Sequence, residues 1–244
     1  MTNTLKVEQQ IRREFIEIPL RPGTMFHYAP RTGILRAVRG ALPLLSGDLL
    51  DAGCGFMPYR DLIMSNSEVR EYIGMDRADS GIYGRVAPDV IWEGTIIPMG
   101  DGSVDSIVAT EFLEHHADPA AVVSEFFRVL KPSGSIFATV PFIWNLHELP
   151  YDEFRYTPSS LQRIFETAGF SQVTVKPLGG WNAAMAQMIG LWVTFAPLRR
   201  PLRRVFRYVL FPIFYALVKS DVLPSTFDGR ENSMFNGLSV TARR

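Results

Sequence analysis

The chain is poor in features that would assign it to several common protein classes. It has one cysteine, Cys54, so no internal disulfide framework can form, and this composition fits a reducing compartment. Lysine and arginine together number 25, and so do aspartate and glutamate, which gives a formal net charge of zero. The protein therefore has no overall positive electrostatic potential that would favour binding to nucleic acid or to an acidic partner.

Long apolar runs are also missing. No apolar stretch reaches the roughly 20 residues that a membrane-spanning helix needs. Residues 1–11 are polar and mixed in charge, without the apolar segment of a signal peptide. Neither internal repeats nor low-complexity tracts occur. We therefore expect a cytoplasmic protein, and 244 residues suffice for one α/β domain with additions or for two small domains.

An alternation of β-rich and helical runs is present between residues 48 and 175. It predicts a parallel sheet with helices on both faces. Asp118 and Thr157 precede prolines and are expected as helix N-caps. The predicted strands are Leu49–Ala52, Tyr72–Met75, Val90–Ile91, Val104–Ala109, Ser135–Val140, Val173–Lys176 and a last one within Ser233–Arg244; the predicted helices are Leu5–Glu17, Thr32–Leu45, Pro58–Met64, Pro119–Leu130 and Pro158–Ala168.

The stretch "LLDAGCG" ends the first strand on an acid and follows it with two glycines. Ligands of an open parallel sheet bind beyond the carboxyl ends of its strands, where Gly53 and Gly55 let the backbone approach them. An NAD fingerprint needs a third glycine or alanine, and Pro58 stands there instead. Asp51, on the strand itself, suits an amine-bearing ligand better than a pyrophosphate. Asp76 in "YIGMD" follows about 20 residues later, where an acid bonds ribose hydroxyls.

These two motifs and two later ones, "IPMGDGSVDSIVATEFLEHHADP" and "FFRVLKPSGSIFATVP", follow one another in a familiar order. Together they resemble the class I S-adenosylmethionine-dependent methyltransferases of the type with an "LEH" motif, the methyltransferase type 11-like group, over Asp48 to Pro141. The resemblance implies an α/β, Rossmann-like, seven-stranded, mostly parallel sheet with an antiparallel last strand. It also implies S-adenosyl-L-methionine as cofactor. One departure is Met57, which replaces the common third glycine of the first loop.

The resemblance assigns cofactor contacts to the loops after the strands. Asp51 would orient the methionyl ammonium, Asp76 would hold the ribose hydroxyls, and the residues from Glu93 to Thr95 would border the adenine. Thr110, Glu111 and Phe112 would wall the sulfonium. The expected cofactor-binding residues are Asp51, Ala52, Gly53, Cys54, Gly55, Asp76, Arg77, Glu93, Gly94, Thr95, Thr110, Glu111 and Phe112.

The segment after the fifth strand, "PFIWNLHELPYDEFRYT", mixes aromatic, acidic and imidazole side chains, which suits a polyhydroxyl acceptor. It resembles a motif of bacterial methyltransferases linked to polysaccharide assembly, H-x-x-P-x-D-x-x-R-[YF]-T. The expected catalytic residues are His147, His115 and Asp152, with a histidine as the base that deprotonates a hydroxyl. Two alternatives stay open: His115 caps the next helix, and Asp152 pairs with Arg155 to fix the loop. No metal-ligand set is predicted.

The stretch from Gly179 to Arg230 is apolar and basic. The arginines between residues 199 and 207 occur without a nearby acid, and apolar residues occupy the opposite helical face: Leu198, Leu202, Val205, Val209 and Ile213. This pattern predicts a helix that contacts an anionic membrane surface; the alternative is a lid over the active site. The expected organisation is an N-terminal helical cap (1–45), a cofactor-binding core (46–178), a helical insertion (179–232) and the last strand (233–244).

These observations favour a methyltransferase that O-methylates a sugar or a lipid-linked saccharide in polysaccharide biosynthesis. A lipid or quinone acceptor is the alternative among enzymes. A catalytically silent module that binds S-adenosylmethionine is the alternative of another class. The expected partners are the acceptor and an anionic membrane surface, reached from the cytoplasmic, inner face of the membrane; no nucleic acid is expected.

Overall fold

The computed structural model describes residues 9–78, 87–94 and 96–244, with a seven-stranded sheet at the centre. The strands are β1 (Ser46–Ala52), β2 (Glu68–Asp76), β3 (Val90–Ile91), β4 (Val104–Thr110), β5 (Leu130–Pro141), β6 (Ser171–Pro177) and β7 (Gly237–Arg243). Their order in the sheet is β3-β2-β1-β4-β5-β7-β6. Strands β1 to β5 pair in parallel, and β7 is antiparallel to both of its neighbours, which confirms the predicted fold.

The strand order reverses between β1 and β4. From β1 the chain runs outward through β2 and β3, and it then returns to the other side of β1 for β4 and β5. The loops that follow β1 and β4 therefore diverge at the carboxyl edge and leave a crevice between them, which is where open α/β sheets bind ligands.

Six helices surround the described part of the sheet. The predicted N-caps are confirmed: the Asp118 carboxylate accepts a hydrogen bond from the backbone N–H of Ala121 at 3.0 Å, and the Thr157 hydroxyl accepts one from that of Ser160 at 3.3 Å. The helices are α1 (Met25–Ala41), α2 (Arg60–Asn66), α3 (Pro119–Val129), α4 (Pro158–Thr167), α5 (Trp181–Phe195) and α6 (Arg200–Lys219).

Two apolar cores cover the two faces of the sheet, because successive side chains of a strand point to opposite faces. Leu50 of β1 packs into the core beneath α3 and α4, together with Phe126. Leu49 packs into the other core beneath α1 and α2, together with Val38 and Ile63. The sheet is therefore buried on both faces, and a ligand can reach it only at the carboxyl ends of its strands.

The N-terminal helix differs from the prediction. It begins at Met25 instead of Thr32 and runs through Pro30. Met25 and Ala29 are buried, and a Cβ atom at Gly190 of α5 would overlap the Met25 carbonyl oxygen. This close packing extends the helix in spite of its proline. The helix predicted over Leu5–Glu17 is described only from residue 9 and contains a π-helical turn at Arg12–Ile16.

The stretch between β6 and β7 forms α5 and α6. Helix α6 is continuous through Pro212 and buries only Phe214 completely. Its apolar residues Leu202, Val209 and Ile213 are about half exposed or more. Among the described residues, no helix combines the length and apolarity needed to cross a membrane. The last strand, expected within Ser233–Arg244, forms over Gly237–Arg243 after a short 3₁₀ turn.

Candidate active site

A cavity of about 1120 Å³ opens at the carboxyl edge of β1, β2 and β4. Pockets for small ligands usually measure about 300–1,000 Å³, so this cavity is at the large end for a ligand site. Most of the predicted site residues line it: Gly53, Cys54, Gly55, Asp76, Arg77, Glu93, Gly94, Thr110, Glu111, Phe112, His115 and His147. Asp51, Ala52 and Asp152 do not line it, and Thr95 lies outside the described residues.

The loop after β1 depends on glycine at its first position. Gly53 has φ +70°, which favours glycine, and a Cβ atom there would overlap the Phe112 ring. The backbone N–H of Gly55 donates to the Asp76 carboxylate at 3.1 Å, which joins this loop to the end of β2. The first loop and the Phe112 ring are thus packed against each other at the cavity wall.

Met57, at the place of the common third glycine, also has a positive φ, of 50°. Its side chain is buried and does not line the cavity. It packs in the core beneath α1 and α2, where a Cβ atom at Gly74 would overlap it. The departure therefore leaves the cavity open, because Gly74 makes room for the Met57 side chain below the loop.

Asp51 lies beneath the glycine loop with 3% of its surface exposed. The Tyr72 hydroxyl donates a hydrogen bond to its carboxylate at 2.5 Å. Burial raises the pKa of Asp51 to about 7; the bond from Tyr72 opposes this shift, and the charge of Asp76 adds to it. Its predicted contact with the ammonium group stays a prediction, since Asp51 is buried and does not line the cavity.

The end of β2 connects the two sides of the cavity. Asp76 accepts a second hydrogen bond from the backbone N–H of Arg77 at 2.7 Å. The Arg77 guanidinium lies 4.4 Å from the centroid of the Tyr151 ring, a cation–π contact. Tyr151 belongs to the segment after β5, so the predicted ribose site is in contact with the predicted acceptor segment.

An aromatic cluster near Glu93 and Gly94 was not predicted. The His116 ring lies 4.3 Å from that of Phe112 and 5.1 Å from that of Trp92, by centroids. Burial, with a smaller contribution from the nearby His115, lowers the pKa of His116 to about 4. His116 is therefore neutral at pH 7 and acts as an aromatic wall. No local motif distinguishes it from His115, its neighbour in "LEHH".

The "LEH" turn holds a carboxyl group in an unusual setting. Glu114 is 0% exposed, and neither of its carboxyl oxygens has a hydrogen-bond partner in the described ranges. Burial raises its pKa well above the usual value, and the nearby Glu111 raises it further. Burial also raises the pKa of Glu111, whose carboxylate accepts a bond from Thr139 at 2.8 Å.

His115 is positioned by the segment after β5 and does not cap a helix, since Asp118 caps α3. The Nδ1 atom of His115 lies 3.3 Å from the Tyr151 carbonyl oxygen. A carbonyl only accepts, so this contact places the ring proton on Nδ1 and leaves a lone pair on Nε2. Burial lowers the pKa of His115, although Glu148 raises it. The ring centroids of His115 and His147 are 4.9 Å apart.

His147 is held by a charged pair beneath it. Asp152 accepts two hydrogen bonds from the Arg155 guanidinium, at 2.6 and 2.9 Å, which confirms the alternative of a structural pair. Burial opposes ionisation of Asp152, but the bonds from Arg155 and from the His147 backbone outweigh it and lower its pKa to about 2. The ionised carboxylate lies 3.2 Å from Nδ1 of His147, so Nδ1 carries the proton and Nε2 has a free lone pair.

The N-terminal region contributes side chains that the sequence did not indicate. Phe15, Arg31 and Ile34 line the cavity, and the Arg31 guanidinium lies 3.9 Å from the centroid of the Phe15 ring. They belong to the π-helical turn and to α1, outside every recognised motif. Tertiary packing of α1 against the sheet brings them to the site, so no local signal could have revealed them.

Residues 50–138 match a family model described as a methyltransferase domain. The chain is 33% identical over 142 residues to a probable S-adenosylmethionine-dependent methyltransferase of Mycolicibacterium smegmatis, covering 50% of this chain and 51% of that protein. It is 32% identical over 102 residues to a probable S-adenosylmethionine-dependent methyltransferase of Mycobacterium tuberculosis, covering 38% and 35% respectively. The chain therefore spans about half or less of the length of these curated relatives.

Solved structures share the fold over nearly the whole chain. A SAM-dependent methyltransferase from Archaeoglobus fulgidus superposes with a TM-score of 0.55 at 17% identity, covering 100% of both chains. Phosphoethanolamine N-methyltransferase 2 of Haemonchus contortus, in complex with S-adenosyl-L-methionine, gives 0.54 at 13% identity, covering 99% of this chain and 58% of that one. At such identities the likeness shows the fold.

Residues 50–138 thus match a methyltransferase domain, and the chain around them is similar to S-adenosylmethionine-dependent methyltransferases. The cavity fits the cofactor of such a domain, because the backbone at Gly55 borders open space: a Cβ atom there would meet nothing within 4 Å. Asp76 at the end of β2 occupies the place of a ribose-binding acid. S-adenosylmethionine is the cofactor of the domain.

Proposed function

We propose that the protein transfers the methyl group of S-adenosylmethionine to a hydroxyl group of a saccharide. One observation carries the proposal: a single cavity holds the cofactor motifs on one side and the two histidines on the other. The rings of Trp144 and Tyr151 line the same side as the histidines and offer faces on which a sugar can stack. Glu148 adds an acceptor for hydroxyl protons.

Bound S-adenosylmethionine supplies an activated methyl group with a neutral thioether as leaving group. The protein has to align the acceptor oxygen with this methyl group and to ease the loss of the hydroxyl proton. His115 and His147 are suited to this task, since each presents an Nε2 lone pair while Nδ1 is engaged with Tyr151 or Asp152. The Asp152–Arg155 pair keeps His147 in this orientation.

We propose further that the protein docks on an anionic membrane through α5 and α6, where a lipid-linked saccharide would be found. The exposed side chains on these helices include rings and aliphatic groups next to exposed arginines, which suits a headgroup interface. None of the described residues between 179 and 232 lines the cavity, so the alternative of a lid loses support. The exposed apolar side chains on α5 and α6 are Trp181, Met185, Met188, Trp192, Phe195, Leu202, Val205, Tyr208, Val209, Ile213 and Tyr215.

Calorimetry with S-adenosylhomocysteine tests the cofactor site. We expect saturable one-site binding, lost or strongly weakened in Asp76→Ala and retained in Asp61→Ala, which removes an exposed carboxylate from α2. Mass spectrometry of reactions with S-adenosylmethionine and panels of nucleotide-linked sugars, lipid-linked sugars, lipids and quinones tests the acceptor. Methylated saccharide supports the proposal, methylated lipid or quinone replaces its acceptor, and binding without transfer to any panel member indicates a silent module.

A further inference from the structure

Three potential metal ligands lie together at the acceptor side of the cavity. One ligand atom from each of Glu114, His115 and His147 lies within 4.8 Å of the others. Nε2 of His115 is 3.8 Å from Oε1 of Glu114 and 3.9 Å from Oε2 of Glu148, whose side chain is 58% exposed. The cluster thus has a buried carboxyl group on one side and an exposed one on the other.

The cluster contains acceptors without a matching donor. Both rings have their Nδ1–H groups engaged, with the Tyr151 carbonyl and with Asp152, so each offers a lone pair at Nε2. Glu114, fully buried beside them, has no hydrogen-bond partner for either oxygen among the described residues. Buried acceptors that face one another repel unless a positive charge or a donor lies between them. One proton can form a hydrogen bond between only two of the three groups, whereas a metal cation can be bound by all three.

We propose that Glu114, His115 and His147 bind a divalent transition-metal ion of the zinc type at the acceptor side of the cavity. Two imidazoles and one carboxylate are the ligands of catalytic zinc sites, which leave a further position for water or substrate. Ligand atoms lie about 2.0–2.2 Å from zinc, so the side chains need to move by about 1 Å to enclose the ion. Mg²⁺ is disfavoured because it prefers oxygen ligands and near-ideal octahedral geometry.

The second layer of contacts also has the form of a metal site. Histidines that bind metals usually donate their other N–H to a carboxylate or a backbone carbonyl, which fixes the tautomer and the ring orientation. Asp152 serves His147 in this way at 3.2 Å, and the Tyr151 carbonyl serves His115 at 3.3 Å. Arg155 in turn fixes Asp152. The two rings are therefore oriented before an ion arrives.

The catalytic role of the ion rests on the proposed function. An acceptor hydroxyl in the open position would be acidified by the ion. Its O–H bond breaks and the proton passes to the Glu148 carboxylate; the oxygen then bonds to the methyl carbon as the carbon–sulfur bond breaks and S-adenosylhomocysteine leaves. With the ion bound, the histidines act as ligands, and Glu148 takes the proton in their place.

Metal binding is tested on the full chain after dialysis against EDTA. Calorimetry with Zn²⁺ and absorption spectroscopy with Co²⁺ should show one equivalent bound, without competition from excess Mg²⁺. His147→Ala, a half-buried position that tolerates truncation, and the isosteric Glu114→Gln should weaken binding by about 100-fold or more, and Asp152→Asn by about 10–100-fold. His27→Ala, on α1 and outside the cavity, is the matched control and should bind as the wild type does.

S-adenosylhomocysteine affinity is measured on the same metal-free samples. If folded wild-type protein binds Zn²⁺ no better than His147→Ala does, the metal site is disproved, and intact S-adenosylhomocysteine binding then leaves the proposed function standing. If the protein binds the metal but does not bind S-adenosylhomocysteine, the metal site is supported and the proposed methyl transfer is disproved.

Discussion

The two sides of the cavity are built in different ways. The cofactor side comes from loops that directly follow β1, β2 and β4, and its shape rests on the backbone: the positive φ of Gly53 and the bond from Gly55 to Asp76. The acceptor side joins the "LEH" turn, the segment after β5 and the N-terminal helices. There the shape rests on side chains that hold one another, as Arg155 and Asp152 hold His147.

This difference implies that substitutions on the two sides affect different quantities. Changes to the backbone of the cofactor side should lower cofactor affinity and stability together. Changes to the two histidines of the acceptor side should lower turnover and leave cofactor affinity nearly constant, because their hydrogen bonds go to Tyr151 and Asp152 and not to β1 or β2. Four measurements, in order of decreasing effect, test this separation, the titration of buried Asp51 and the proposed docking surface on α5 and α6.

The largest effect is expected for the histidines. His147→Ala or His115→Ala should lower turnover by roughly 10²–10⁴-fold, since a hydroxyl is too weak an acid to attack unaided. The dissociation constant of S-adenosylhomocysteine should stay nearly the same. Steady-state kinetics and calorimetry measure the two quantities. Full activity in both variants would exclude the histidines from the reaction, and a parallel loss of cofactor affinity would contradict the separation of the two sides.

Two glycines of one loop give a matched pair on the cofactor side. Gly53→Ala should cost about 3 kcal/mol or more of unfolding free energy, since it adds a clash with Phe112 to the strain of a left-handed backbone. Gly55→Ala introduces the same backbone strain, but its Cβ atom would point into open space. It should therefore lower the unfolding free energy by only about 1–2 kcal/mol. Urea denaturation compares them, and equal losses would show that the Phe112 contact contributes nothing.

Asp51 should make stability depend on pH. Its folded-state pKa is raised from 3.8 to about 7, so the stability contributed by the protonated form is present at low pH and lost as pH rises through 7. Asp51→Asn keeps an acceptor for Tyr72 and cannot ionise. We compare the unfolding free energy of Asp51→Asn with that of the wild type at two pH values. The difference, variant minus wild type, should be about 2 kcal/mol larger at pH 8.5 than at pH 5.5. A difference that does not change with pH would show that Asp51 titrates normally.

The smallest effect concerns membrane docking. Wild-type protein should float with anionic vesicles at low salt and less so as salt rises. Arg204 is exposed on α6, and Arg204→Gln should weaken vesicle binding about fivefold, since one such charge contributes about 1 kcal/mol. Arg163→Gln, on the exposed side of α4, removes the same charge far from this surface and should have no effect. Protein that never floats would remove the case for a lipid-linked acceptor.

The sequence predicted the sheet, and most residues it assigned to the loops after β1, β2 and β4 line the cavity. Each strand and the loop after it are contiguous and carry local patterns such as "LLDAGCG". The sequence did not indicate the partner of Asp51: the Tyr72 hydroxyl of the neighbouring strand β2 donates a hydrogen bond to the Asp51 carboxylate. It could not bring Glu114 and His147 together or add Phe15 and Arg31 to the wall. Those contacts depend on how separate segments pack, which no local pattern encodes.

Strand β7 has a consequence for how the protein is made. It lies between β5 and β6, yet it follows both of them in the chain and also follows α5 and α6. During synthesis, the backbone groups along the edges of β5 and β6 that face β7 therefore stay unpaired until residues 237–243 leave the ribosome. Unpaired edges are templates for wrong pairing. Helices α5 and α6 will have emerged by then, so the surface proposed for membrane docking forms before the sheet is complete.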